Sequence, residues 1–128
     1  MTRVLVIDDS QMMRLYLRRC LEKGGYEVED WMPLSAMEIP DRLRDWAPDL
    51  LLTDYAMAGC NGATVVRMAQ RVAPDLPVVV LTAFTDEDLE SQLARLGVCA
   101  VLHKPIAPEQ LISVIQEVLE RSAQGVEV

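Results

Sequence analysis

Five short apolar runs rich in β-branched residues, separated by longer segments with apolar residues at helical spacing, leave this chain few folds to choose from. The runs cover residues 3–7, 27–32, 50–53, 78–81 and 99–102. Four of them are nearly unbroken apolar, as strands covered on both faces must be. The second, Glu27-Val28-Glu29-Asp30-Trp31-Met32, mixes in acids and so belongs at a sheet border, where charge discourages pairing with other chains. Helices are predicted over 11–23 behind the cap Ser10, over 63–71, over 86–96 behind Thr85, and from 109 to about 121 behind Pro108, with Gly24 and Gly97 as stops. Pro40 would break a helix running through it, so the segment between Pro33 and Pro48 is expected to hold only a short one, over about 40–46. Five right-handed βα units without an internal repeat make a doubly wound α/β fold with a five-stranded parallel sheet, for which strand order 2-1-3-4-5 is one of the two common solutions.

At 128 residues the chain has the size of a single core. We expect one domain over 1–123 and a tail over 124–128. With 20 acidic against 12 basic side chains it carries a net charge of −8, and no Lys/Arg cluster could track a phosphate backbone, which argues against direct nucleic-acid binding. No apolar run approaches the ~20 residues of a membrane helix, and Met1 leads directly into a strand-like run without a signal-peptide layout. A cytoplasmic location is the expectation. Cys20, Cys60 and Cys99 are an odd set at unrelated spacings, read as reduced and mostly buried.

Polar residues placed on this scaffold fall together. Asp8 and Asp9 leave the first strand, Asp54 the third, Thr82 the fourth and Lys104 the fifth, all at the carboxyl edge where ligands of such folds bind. Carboxylates meeting at one rim repel one another and raise one another's pKa unless a cation balances them, and hard oxygen donors suit Mg²⁺. Neither G-x-G-x-x-G nor G-x-x-x-x-G-K-[ST] is present to cradle a nucleotide. Phosphate would therefore arrive covalently or on a small donor.

The runs Val6-Ile7-Asp8-Asp9-Ser10 and Leu52-Thr53-Asp54-Tyr55-Ala56-Met57, with Gly62 beyond, followed by Leu81-Thr82-Ala83, Gly97 and Lys104-Pro105, make the chain resemble a response-regulator receiver domain of two-component signalling. The resemblance implies the flavodoxin-like, chemotaxis-type receiver fold and a phosphorylation-dependent switch. By it, Asp54 takes a phosphoryl group from a histidine kinase or a histidine phosphotransfer protein. Asp9, Asp54 and the Ala56 carbonyl would ligate Mg²⁺ directly and Asp8 largely through water. Lys104 and Thr82, helped by the Ala83 amide, would hold phosphoryl oxygens, and a cis bond before Pro105 would be common. Such a protein catalyses only its own phosphoryl transfer and dephosphorylation.

Two positions depart from the family pattern. Val101 stands where many receivers carry a switching aromatic, so output would travel through Thr82, the loop from Phe84 to Glu87 and the fourth helix. Ala58 stands where a proline is usual, which leaves that loop less stiff. His103 alternates away from Lys104 and reads as an exposed structural residue. The first helix bears two apolar stripes, Met13, Leu17 and Leu21 on one face and Met12, Leu15 and Tyr16 with Arg19 on another. Only one can face the sheet, so the second, rimmed by Arg14, Arg18 and Arg19, reads as a docking surface, and the resemblance implies the phosphodonor as its partner. A Mg²⁺-dependent aspartyl phosphohydrolase and an unphosphorylated scaffold are the competing functions. Against the first, Ala56 stands where an acid would protonate a leaving group; against the second, the site residues are all present. No output domain follows Arg121, so the chain acts alone or belongs to a longer protein.

Overall fold

The structure, a computed structural model, describes residues 1–57, 60–84 and 86–124. Five parallel strands form one sheet: β1 (Arg3–Ile7), β2 (Glu27–Trp31), β3 (Leu50–Asp54), β4 (Val78–Thr82) and β5 (Ala100–His103). Their order is β2-β1-β3-β4-β5, the doubly wound order expected from the sequence. The helices are α1 (Gln11–Lys23), α2 (Ile39–Trp46), α3 (Gly62–Val72), α4 (Glu87–Arg95) and α5 (Pro108–Ala123).

Alternation along each strand splits the core in two. Val4, Val6, Leu50, Leu52, Val79 and Leu81 meet Leu17 and Leu21 of α1 and Leu111 and Ile115 of α5. Leu5, Ile7, Leu51, Val78 and Val80 meet α2, α3 and α4 through Ile39, Leu43, Val65, Val66, Leu89 and Leu93. A strand covered on both faces has no polar side to offer, which is why β1, β3 and β4 read as continuous apolar runs. β2 lies at the border, and its acids have partners: Glu27 pairs with Arg3, Glu29 with Arg42, and Asp30 with Arg14 and Arg18.

Local signals set the helix ends. Ser10 caps α1, its hydroxyl accepting from Met13 N at 3.2 Å. At the far end Gly24 follows Lys23 in a right-handed conformation, and the left-handed turn falls on Gly25, at φ 94°. Gly24 is small for a different reason: a Cβ there would come within 2.6 Å of Ile112 on α5. The segment before α2 holds one element the sequence did not suggest, a 3-10 turn over Ala36–Glu38 closed by a capping box between Ser35 and Glu38. Pro40 then sits in the first turn of α2, where its missing N–H costs nothing. Asp86, rather than a residue before it, caps α4 by accepting from Asp88 N at 2.9 Å. Thr85 and Ala58 lie outside the described residues, as does the expected tail beyond Gln124.

Leu51 is fully buried between β1, β4 and the α2/α3 layer, whereas Leu34 is 80% exposed. Leu51→Ala should therefore lose about 2–5 kcal/mol in urea denaturation, and Leu34→Ala should stay within about 0.5 kcal/mol of wild type. Comparable losses for the two would contradict the assigned packing.

Candidate functional site

Parallel strands in register deliver their carboxyl ends to one rim. Asp54 closes β3, Thr82 closes β4, Asp8 and Asp9 follow β1, and Lys104 follows β5. The connection leaving β1 runs through α1 on one face of the sheet and the one leaving β3 through α3 on the other, so the rim opens between these two strands, at the switch point. Two adjacent strand ends thus place carboxylate oxygens of Asp8, Asp9 and Asp54 within 4.8 Å of one another. The Lys104 ammonium lies between two of them, 3.1 Å from Asp8 Oδ2 and 3.2 Å from Asp54 Oδ1.

The three acids are not equivalent. Asp8 is 1% exposed and every polar atom it has is engaged. Its N–H donates to the Trp31 carbonyl, its carbonyl accepts from Arg14 Nη1 at 2.7 Å, Oδ1 accepts from Ser10 N at 2.8 Å and Oδ2 from Lys104. Asp9 is exposed and takes part in no hydrogen bond or ion pair among the described residues. Asp54 is 6% exposed, and among the described residues Lys104 is the one cation paired with its carboxylate. Burial, and then the charges of Asp8 and Asp9 against the relief from Lys104, hold its pKa above the ordinary carboxylate value. Burial lowers the Lys104 pKa, but its hydrogen bond and attraction to Asp8, followed by Asp54, outweigh this and raise it. The donor set is all hard oxygen with a cation already in contact, which fits a small divalent ion better than a soft metal.

The backbone around Asp54 is tightly set. The Thr53 hydroxyl donates to the Asp54 carbonyl at 2.9 Å, and Tyr55 N donates to Leu81 O at 3.1 Å. Ala56–Met57 and Cys60–Asn61 then form a short antiparallel ribbon, and Ala56 is exposed. Gly62 returns the chain against the end of β3: its N–H donates to Tyr55 O at 2.7 Å, and a Cβ there would meet Tyr55 Cα at 2.9 Å. Only glycine fits that approach without moving backbone. On the far side, Thr82 is 1% exposed and its Oγ1 accepts from Phe84 N at 3.0 Å, while Ala83 is exposed. The Lys104–Pro105 bond is cis.

Other sequence-selected residues lie farther out. Val101 is half-buried against the α3/α4 side of the core. His103 is less exposed than the sequence suggested, its Nε2 buried and 3.6 Å from Glu90 Oε1 on α4. Met12 and Leu15 are exposed, at 83% and 48%. Tyr16 stands at 36%, its hydroxyl bonded to the Ile106 carbonyl at 2.7 Å. The arginine rim needs correcting. Arg14 and Arg18 are drawn in by Asp30, and among the described residues Arg19 makes no ion pair. Nothing in the sequence around Arg14 announced its bond to the Asp8 carbonyl, because that bond requires β2 to place Asp30 beside the helix.

A doubly wound sheet with clustered carboxylates and one lysine at its carboxyl rim defines a class of phosphate-handling α/β domains. The chain belongs to the response regulator receiver domain family, whose model matches residues 4–116. It is therefore a signalling switch of two-component systems. It is 30% identical over 127 residues to the phosphate regulon transcriptional regulatory protein PhoB of Pseudomonas aeruginosa, covering 95% of this chain and 53% of PhoB. It is 34% identical over 122 residues to the response regulator MprA of Mycobacterium avium, covering 94% of this chain and 52% of MprA. The chain thus spans about half the length of these curated relatives. Its fold superposes on the Vibrio cholerae chemotaxis protein CheY4 with a TM-score of 0.82 at 28% identity, over 92% of this chain and 98% of that one. No described helix is long and apolar enough to cross a membrane.

The raised Asp54 pKa has a sign. Between the ordinary value of 3.8 and the raised one, the folded state binds more protons than the unfolded state, so stability falls as pH rises through that window. In chelator, Asp54→Asn should be more stable than wild type at pH about 7, and the gap should close toward pH about 4. Urea midpoints at the two pH values measure it; a gap independent of pH would contradict the assignment.

Proposed function

We propose that Asp54 is the phosphoacceptor of this switch and that a histidine kinase or histidine phosphotransfer protein is its donor. The observation that carries the reading is the buried Asp54 carboxylate, 3.2 Å from Lys104 and within 4.8 Å of its acidic neighbours. An Asp54 carboxylate oxygen forms the new O–P bond as the N–P bond of phosphohistidine breaks, and the leaving imidazole takes up a proton. Lys104 turns from the carboxylates to an incoming phosphoryl oxygen as a point charge, and the Thr82 hydroxyl donates to another.

Asp9, Asp54 and the Ala56 carbonyl would hold Mg²⁺, with Asp8 acting through water since its own oxygens are already engaged. Bound there, Mg²⁺ supplies charge neutralisation: three carboxylates, one ammonium and one divalent ion sum to zero, so the phosphoryl group meets no net repulsion. With Mg²⁺ and acetyl phosphate, the wild type should gain an acid-stable, hydroxylamine-labile acyl phosphate by mass spectrometry. Asp54→Asn and chelator should abolish it, and Lys104→Ala should slow it at least roughly tenfold, the loss of about 1.4 kcal/mol of transition-state stabilisation. Modification of Asp54→Asn at the wild-type rate would sink the reading.

The exposed stripe Met12, Leu15 and Tyr16 with Arg19 is the surface we assign to the phosphodonor. It starts one residue into α1, so a protein seated on it also reaches Asp9 and the rim. Leu15→Asp should cut the rate with a phosphorylated histidine-containing donor protein roughly tenfold or more while leaving the acetyl phosphate rate unchanged. Equal rates with the donor protein would place docking elsewhere.

A further inference from the structure

Beside the rim, on the side away from α1, a cavity of about 330 Å³ opens between the acceptor strand and the first turns of α4. Tyr55 and Phe84 form one wall, edge to face with ring centroids 6.4 Å apart. Leu89 and Gln92 complete the interior, and the exposed Asp86 and Asp88 stand with them. Asp86 uses Oδ1 on the Asp88 amide, and among the described residues neither its Oδ2 nor the Asp88 carboxylate has a partner. Among the described residues no cationic side chain lines the space.

The chemistry is complementary to one kind of occupant. A guanidinium or ammonium finds aromatic faces and two carboxylates, while its aliphatic stem finds Leu89. An anionic group would meet those carboxylates, and a purely apolar one would leave them unused. The surroundings point the same way: the first turn of α4 is Glu87, Asp88 and Glu90.

Both aromatic walls are tied to the reactive groups. Tyr55 directly follows Asp54, and Phe84 N donates to the Thr82 hydroxyl at 3.0 Å. If Thr82 turns its oxygen toward a phosphoryl group, it takes the acceptor away from Phe84, and the wall shifts. We propose that this cavity is a docking pocket for an arginine or lysine side chain of a partner protein, and that phosphorylation of Asp54 changes its affinity through the Thr82–Phe84 bond. The first half stands on the cavity; the second rests on Asp54 being the phosphoacceptor.

The probe is the peptide acetyl-Ala-Ala-Arg-Ala-Ala-amide, with glutamate and norleucine versions, titrated into ¹⁵N-labelled protein. The arginine peptide should shift the Tyr55, Leu89 and Gln92 amides, and Phe84→Leu or the pair Asp86→Asn/Asp88→Asn should each weaken binding about fivefold. The other two peptides should leave those amides unmoved. Equal binding of the norleucine peptide, or arginine-peptide shifts that survive Phe84→Leu at full strength, would overturn the pocket. Beryllofluoride with Mg²⁺, which mimics the acyl phosphate, should change the arginine-peptide affinity about threefold or more. An unchanged affinity while beryllofluoride visibly shifts Thr82 and Ala83 overturns the coupling. Absence of any beryllofluoride response overturns the phosphoacceptor reading and the coupling with it, while the untreated titration still judges the pocket.

Discussion

One ammonium among three carboxylates is the interaction on which the carboxyl rim of this domain depends. Burying Asp8 and Asp54 at the ends of adjacent strands is unfavourable unless their charge is met, and Lys104 meets both from the far side of the sheet. β5 borders only β4. The side chain leaving its end reaches past β4 to β3 and β1, so a single residue links the last strand to the first. The arrangement is not optimised for stability, since Asp54 keeps a raised pKa despite Lys104. Sites built to react commonly hold such unresolved charge, and the rest of the fold compensates for it.

That compensation is visible around Asp8. Its backbone and carboxylate are held by Trp31, Arg14, Ser10 and Lys104, which come from β2, from α1 and its cap, and from the end of β5. Arg14 is itself fixed by Asp30, which also binds Arg18. The acids of β2 therefore do more than guard an edge. Asp30 reaches through Arg14 to orient the corner from which Asp9 projects, leaving Asp9 exposed and, among the described residues, without a partner while its neighbour is saturated. Rigid Asp8 beside unencumbered Asp9 is the division of labour a cation site needs when one acid shapes the cavity and another donates to the ion.

Much of this was legible in the sequence because it follows from local chemistry. Runs such as Val4–Ile7 and Val78–Leu81 can be nothing but doubly covered strands, and Ser10 and Gly97 mark helix ends by their own side chains or lack of one. Strand ends in a parallel sheet must share a rim, so Asp8, Asp54, Thr82 and Lys104 could be brought together by spacing alone. What was missed depends on tertiary partners. Arg14 and Arg18 look like an exposed rim until β2 presents Asp30. The Ala36–Glu38 turn relies on a capping box between residues that read as loop, and the ribbon of Ala56–Met57 with Cys60–Asn61 is too short to carry a strand signature. His103 reads as exposed because nothing near it in sequence announces Glu90 of α4.

The route from the rim to the surface is set by the same economy of bonds. With valine at position 101, three residues before Lys104, no aromatic stands there to swing between buried and exposed positions, so any change at Thr82 must leave through what Thr82 touches. Its hydroxyl accepts from Phe84 N, and its strand neighbour His103 faces Glu90 of α4. A hydrogen bond exchanged in this way is worth about 0.5–1.5 kcal/mol net, a factor of roughly two to ten in an equilibrium. Driving a two-state element from one form almost wholly to the other takes about 5.5 kcal/mol. The Thr82–Phe84 bond alone can therefore bias the β4–α4 region but cannot throw it as an all-or-none switch. A partner that contacts both Phe84 and the start of α4 would supply the remainder, so the free protein should respond to phosphorylation by a graded shift that becomes decisive only in the complex.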